Sequence, residues 1–224
     1  MLGVRKWQLM KEIFTFFGEK IEADAQIELA KGTSVRNLKR GEQLYCTGEI
    51  PTGLHFIRKG LIGLVVSGPT GNEYLIRLAK ADQYLGHRSL FAAEEHHATA
   101  VALEDTEVVS VSKAIVLRVI ETWPKISLLL LEAVSKELKQ AELGRVSLAD
   151  KNVTARIAES ILFLKTRYPE HQWTRREIAE FCGSTTPTVI RTLAKLEAEG
   201  IIRQEGRIIE ILKRATLLQL AENL

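Results

Sequence analysis

The chain has 224 residues, 46% of them apolar, which is ample for one large buried core or two smaller ones. Its net charge of +3 is unevenly spread: residues 1–144 hold 18 Lys and Arg against 18 Asp and Glu, whereas residues 145–224 hold 13 against 10. Two distant cysteines, Cys46 and Cys182, exclude a CxxC pair or a disulfide framework, "FTFFG" is too short for a signal peptide, and no apolar run reaches bilayer length. The expectation is a cytoplasmic protein whose modestly basic C-terminal third suits nucleic acid.

The first 30 or so residues read as short amphipathic helices packed through Trp7, Met10, Ile13, Phe14 and Phe17. From Val35 to Val111, glycines punctuate strand-length runs such as "LHFIRKG", "LIGLVV" and "EYLIRLA". That spacing predicts an all-β sandwich or barrel, with a single helical turn near "RSLFAA". After Ser112 the pattern turns helical, with a start or kink at Trp123-Pro124. Leu131, Val134, Leu138, Ala141 and Leu148 then fall at steps of three, four, three and seven, with Arg145 in the vacant seam position. So narrow a stripe on a long helix calls for a partner helix, either a second copy or the chain's own β domain. A break at Asp150 to Asn152 marks a hinge, and Asn152 can cap a helix whose stripe includes Ile157, Ile161, Leu162 and Leu164. Three segments result: 1–112 with the N-terminal helices and the β-rich run, 113–150 as helical connector and dimerisation helix, and 151–224 beyond the hinge.

The last segment contains "TRREIAEFCGSTTPTVIRTLAKLEAEGII", from Thr174 to Ile202. Thr174 and Glu177 have capping-box spacing, and Gly183 suits a left-handed turn. Thr185 or Thr186 can cap a second helix with Pro187 in its first turn. Val189, Leu193 and Leu196 form its buried stripe, and Pro187, Ile190, Arg191, Ala194 and Lys195 face the other way. "EGIIRQEGRIIEIL" adds a hairpin around Glu205-Gly206, completing a winged helix-turn-helix. Arg191, one turn in, can reach a guanine edge, beside Thr185, Thr186, Pro187 and Thr188. Arg175, Arg176, Lys195 and Arg207 suit phosphates. The predicted class is α+β: an all-β sandwich or barrel, a long dimerisation helix and a winged helix-turn-helix.

Four blocks in this order resemble the CRP/FNR family of bacterial transcription regulators. They are "RGEQLYCTGEIPTGLHFIRKGLIGLVV", "YLGHRSLFAAEEHHATAVALEDTEV", "LADKNVTARIAESILFL" and the helix-turn-helix itself. The resemblance implies a homodimer that binds a pseudo-palindromic operator in double-stranded DNA and activates or represses transcription, with RNA polymerase as partner if it activates. It also implies that the β domain is a β-roll or jelly-roll sensor domain carrying an effector cassette. Gly86 matches the cassette glycine, but His87 stands where a ribose-binding glutamate is expected and His97 where a phosphate-binding arginine is expected. Ala98 replaces a hydroxyl residue, and Ala141 and Glu142 stand where adenine-holding hydroxyls are expected; Arg88, Ser89 and Thr99 complete the candidate pocket. An unpaired phosphate in a closed pocket costs several kcal/mol, so the expected protein is constitutive or takes a ligand other than cyclic AMP.

Other chemistries find little support. Iron–sulfur ligation needs N-terminal cysteines, and none precedes Cys46; His87 is a candidate haem ligand without a supporting cysteine. "EEHH", residues 94–97, reads as a solvated loop rather than a metal site, because consecutive residues diverge; its histidines could sense pH near neutrality. The sequence holds no nucleophile–base pair, metal set or phosphate loop at the spacing an enzyme needs. The competing readings are a cyclic-AMP-dependent regulator and a cyclic-nucleotide-binding module that docks a protein partner through its helical C-terminus.

Overall fold

The computed structural model describes residues 22–222, so the helices expected around Trp7 to Phe17 lie outside the described residues. The chain forms two compact units. The first comprises the described residues through Ser67 together with Ile76–Glu137, and the second comprises Gly68–Leu75 with the chain from Leu138 onward. The expected boundary at Asp150 to Asn152 coincides with the end of a long helix, whereas the units divide within that helix.

From α1 (Ala23–Lys31) the chain leads into eight strands: β1 (Thr33–Leu38), β2 (Gln43–Tyr45), β3 (Gly53–Lys59), β4 (Leu61–Ser67), β5 (Glu73–Lys80), β6 (Gln83–Leu85), β7 (Thr99–Ala102) and β8 (Thr106–Ser112), all of the first unit except the first three residues of β5. A short helix α2 (His87–Ala92) lies between β6 and β7, where the single turn was expected. The strands make two four-stranded sheets, in order β1-β8-β3-β6 and β2-β7-β4-β5. Leu38, Ile57, Ile62, Leu85, Ala100 and Val108 belong to one core cluster. Leu54, Phe56, Val109 and Val111 belong to another, which includes residues of α1, of α3 (Lys113–Thr122) and of the start of α4 (Pro124–Asp150). Neighbouring residues of β3 and β8 thus serve different cores. This is why "LHFI" is buried at every position, His55 included: the strand is covered on both faces.

Pro124 opens α4, as its fixed φ and missing amide favour at a helix start. The helix runs for 27 residues, and Ile126 and Leu130 are buried. In the second unit, Asn152 Oδ1 accepts from Ala155 N at 3.0 Å and starts α5 (Val153–Arg167), whose Ile157, Ile161, Leu162 and Leu164 are buried as the stripe predicts. Helices α6 (Arg175–Cys182) and α7 (Thr186–Ala198) follow, then an antiparallel hairpin of β9 (Ile202–Glu205) and β10 (Ile208–Ile211). Its register pairs Ile208 with Glu205, so the turn is Gly206-Arg207, one residue later than expected. A further helix α8 (Arg214–Glu222), not anticipated from sequence, buries Leu217 and Ala221.

Candidate functional site

The helix-turn-helix is built by side chains that satisfy helix ends. Thr174 Oγ1 accepts from Glu177 N at 3.1 Å, and Glu177 Oε2 accepts from Thr174 N at 2.8 Å, closing the capping box on α6. Gly183 has φ 62° and ends α6, a backbone geometry that a side chain would strain. Thr185 is the cap of α7, accepting from Thr188 N at 3.4 Å, and Pro187 lies in its first turn. Val189, Leu193 and Leu196 are buried, so the opposite face with Pro187, Ile190, Arg191, Ala194 and Lys195 is exposed. Arg191 Nη2 donates to Thr188 Oγ1 at 3.3 Å, a contact within its own helix that leaves most of the guanidinium to solvent. Thr186 is half-buried beside the cap, and Lys195 lies 4.0 Å from Glu199.

The basic residues differ in their engagement. Arg207 is exposed at the tip of the hairpin. Arg175 reaches across to that hairpin: Nη2 donates to Gln204 Oε1 at 2.7 Å and to Gly206 O at 3.0 Å, and Nη1 to Arg207 O at 3.4 Å. It therefore ties α6 to the wing. Arg176 is exposed and paired with Glu180 at 2.6 Å and with Glu73 of the same unit. Sequence reading missed Arg156. Its Nε donates to Cys182 O at 3.1 Å and its Nη1 to Lys151 O at 2.9 Å, so it satisfies carbonyls at the end of α6 and beside the hinge.

On α4 the stripe read from sequence is exposed: Leu131 by 61%, Val134 by 39%, Leu138 by 59% and Leu148 by 56%. Ala141 and Arg145 are exposed as well. Leu148 also borders the turn of the helix-turn-helix, since a Cβ on Gly183 would lie 3.1 Å from its Cδ2.

In the first unit, Gly86 has φ 89° and precedes α2. A Cβ there would stand 2.8 Å from Gly53 O, so the cassette glycine is required by both backbone and space. His87 is buried, with Nε2 at 2.9 Å from Glu137 Oε2. Ser89 and Ala98 are buried too. Arg88 donates to His97 Nδ1 at 3.0 Å and to Glu94 Oε2 at 3.3 Å. That contact needs an unprotonated ring, and partial desolvation of this exposed residue, then Arg88, holds the His97 pKa below its ordinary value. Thr99 Oγ1 accepts from Thr47 N at 3.1 Å. Glu142 is exposed and groups with the second unit; the carboxylate of α4 that meets the cassette is Glu137, paired also with Arg77 of β5. Neither Glu137 nor Arg77 was picked out from sequence.

The two histidines of "EEHH" diverge. His96 stacks on Tyr45 with centroids 3.7 Å apart and is buried, whereas His97 meets Arg88. Tyr45 also lies 5.6 Å from the ring of His55, whose Nδ1 is 2.8 Å from Ser110 Oγ. Burial, then the neighbouring His96 and Arg36, lowers the His55 pKa to about 4, and burial pushes the Tyr45 hydroxyl up to about 12. Among the described residues no group of three or more His, Cys, Asp or Glu is placed to hold a metal ion, and no helix is long and apolar enough to cross a membrane.

Comparison with known proteins agrees with this architecture. A cyclic nucleotide-binding domain model matches residues 35–122, and a Crp-like helix-turn-helix domain model matches residues 155–220. The chain is 27% identical to the cyclic AMP receptor protein of Thermus thermophilus, over 89% of this chain and 94% of that one. It is 25% identical to the fumarate and nitrate reduction regulatory protein of Vibrio cholerae, over 82% and 77%. A solved structure described as a putative regulator of the Crp/Fnr family from Eubacterium rectale superposes with TM-score 0.78 at 16% identity, covering 92% of this chain and 97% of that one. These matches are to transcription regulators rather than enzymes. With a β-roll, a long helix and a winged helix-turn-helix in that order, the chain belongs to the CRP/FNR family of bacterial transcription regulators.

Proposed function

We propose that the chain works as a homodimer that reads a pseudo-palindromic operator in the cytoplasm, with Arg191 contacting a guanine in each half-site. The observation that carries this is the exposed face of α7, where Arg191 stands free of any ion pair in the described residues beside Pro187 and Thr188. A guanidinium one turn into such a helix suits the paired acceptors of guanine in the major groove. The exposed Leu131, Val134 and Leu138 support the dimer, because an apolar stripe on one face of a long helix is the surface a second copy covers. Two-fold symmetry then matches two half-sites about one turn of DNA apart. Arg207 and Lys195 suit phosphates, and Arg175 serves mainly to hold the wing.

The effector cassette is not built for cyclic AMP in this reading. His87 is turned to Glu137, His97 accepts from Arg88, and Ala98 offers no hydroxyl. The second reading, control by cyclic AMP, is favoured by the domain model that covers residues 35–122 and by the name of the Thermus relative. Selection of bound sites from random DNA, with and without cyclic AMP and cyclic GMP, separates the two. We expect the same palindromic consensus under all conditions; a consensus that emerges only with cyclic AMP refutes the first reading. Failure to enrich any site, with binding insensitive to salt, refutes DNA reading altogether.

A further inference from the structure

Along the first half of α4 the inward residues are Ile126, Leu130, Ala133 and Glu137, at steps of four, three and four on one helix face. The first three pack into the apolar cluster of the sensor unit. The fourth is a carboxylate, and both its oxygens are engaged. Oε1 accepts from Arg77 Nη2, and Oε2 lies 2.9 Å from His87 Nε2. A carboxylate here accepts, so Nε2 carries the ring proton. Arg77 Nη2 donates also to Tyr84 O at 3.3 Å, and the Tyr84 ring stands edge-on to His87 with centroids 4.6 Å apart. The His87 side chain is only 2% exposed, and its Nδ1 has no hydrogen-bond partner.

These contacts join β5 and α2 to α4, which lies 50 to 60 residues further along the sequence. We propose that the Arg77–Glu137–His87 network is an internal latch that replaces a small-molecule effector: it fixes α4 on the cassette and holds the dimer in its DNA-reading state without ligand. The inference rests on the DNA-reading dimer proposed above. An effector acts by favouring one arrangement of the parts it bridges. Here the bridge is part of the chain, present at a fixed high effective concentration, and made of charge-assisted hydrogen bonds. Its position serves that role, since the seam residues Val134 and Leu138 flank Glu137 on the same two turns of helix. Removing the charge of Glu137 leaves the Arg77 guanidinium without its counter-charge and weakens the acceptor for the buried imidazole, and removing His87 breaks the tie to α2, so in either case the remaining contacts do not hold α4 unaided.

The test uses the full-length protein and a labelled operator obtained by site selection, read by fluorescence anisotropy without ligand. Glu137→Gln keeps the shape and removes the charge; His87→Gln is the second variant, should the first fold poorly by circular dichroism. We expect wild type to bind tightly and to change less than twofold with millimolar cyclic AMP or cyclic GMP. Each variant is expected to bind the operator about tenfold more weakly, the usual size of a coupling between sites. Loss of protection against hydrogen exchange should appear in α4 around Glu137. Variants that bind like wild type overturn the latch, as does a wild type that needs cyclic nucleotide to bind. A wild type with no operator preference in any condition instead refutes the DNA-reading assignment itself.

Discussion

Replacing Arg191 by alanine separates base reading from electrostatic attraction. The side chain is exposed, and it donates a hydrogen bond to Thr188 Oγ1 at 3.3 Å on its own helix. Its removal should therefore change folding stability by no more than about 0.5 kcal/mol. A bidentate arginine–guanine contact is worth about 1–3 kcal/mol. A dimer makes two, so the operator should lose about 2–6 kcal/mol, a Kd weaker by roughly thirty-fold at the least. Random DNA should lose far less, because it never received the base contact. The assay is anisotropy on the selected site and on a scrambled duplex across a salt series. If Arg191 touches phosphate instead, both duplexes weaken equally and the salt slope falls by about one per contact. That outcome, or an unchanged operator affinity, refutes the reasoning.

Three further outcomes follow from the geometry. Leu138→Asp puts a charge in the middle of the exposed stripe and should convert the dimer to monomers in sedimentation velocity; an unchanged sedimentation coefficient would show that the stripe is not the seam. Arg175→Ala should loosen the wing, seen as faster hydrogen exchange in β9 and β10, and weaken DNA binding without changing its salt slope; a shallower slope would make Arg175 a phosphate contact. The His55 pKa is lowered from 6.5 to about 4, so the unfolded chain takes up the proton first and stability is lost as pH falls through that window. Between pH 7 and 5 the loss is about 2 kcal/mol, read as a falling Tm. His55→Gln should flatten that slope in part, because the His96 and His97 pKa values are lowered as well. A slope equal to wild type would remove His55 from the account.

Features with a local grammar were legible in the sequence. The capping box at Thr174, the left-handed Gly183, the caps at Asn152 and Thr185, and the stripes of α5 and α7 depend on neighbours three or four residues away, and spacing reports them. Period and composition also picked out the stripe of Leu131, Val134, Leu138 and Leu148, which is exposed. Long-range partners were not legible. The bonds from Arg175 to the hairpin leave no trace in local spacing, because a guanidinium has the same one-letter code whatever it meets. The partner of His87, Glu137, lies fifty residues on, beyond the reach of local spacing. One signal for that partner was present. α4 carries two stripes, the outward 131-134-138 and the inward 126-130-133-137, and a charge ending the inward one must find a counter-charge in the sheet or cassette it faces. A carboxylate in such a position is therefore a pointer to the basic residues opposite, and Arg77 and His87 are the two that answer it.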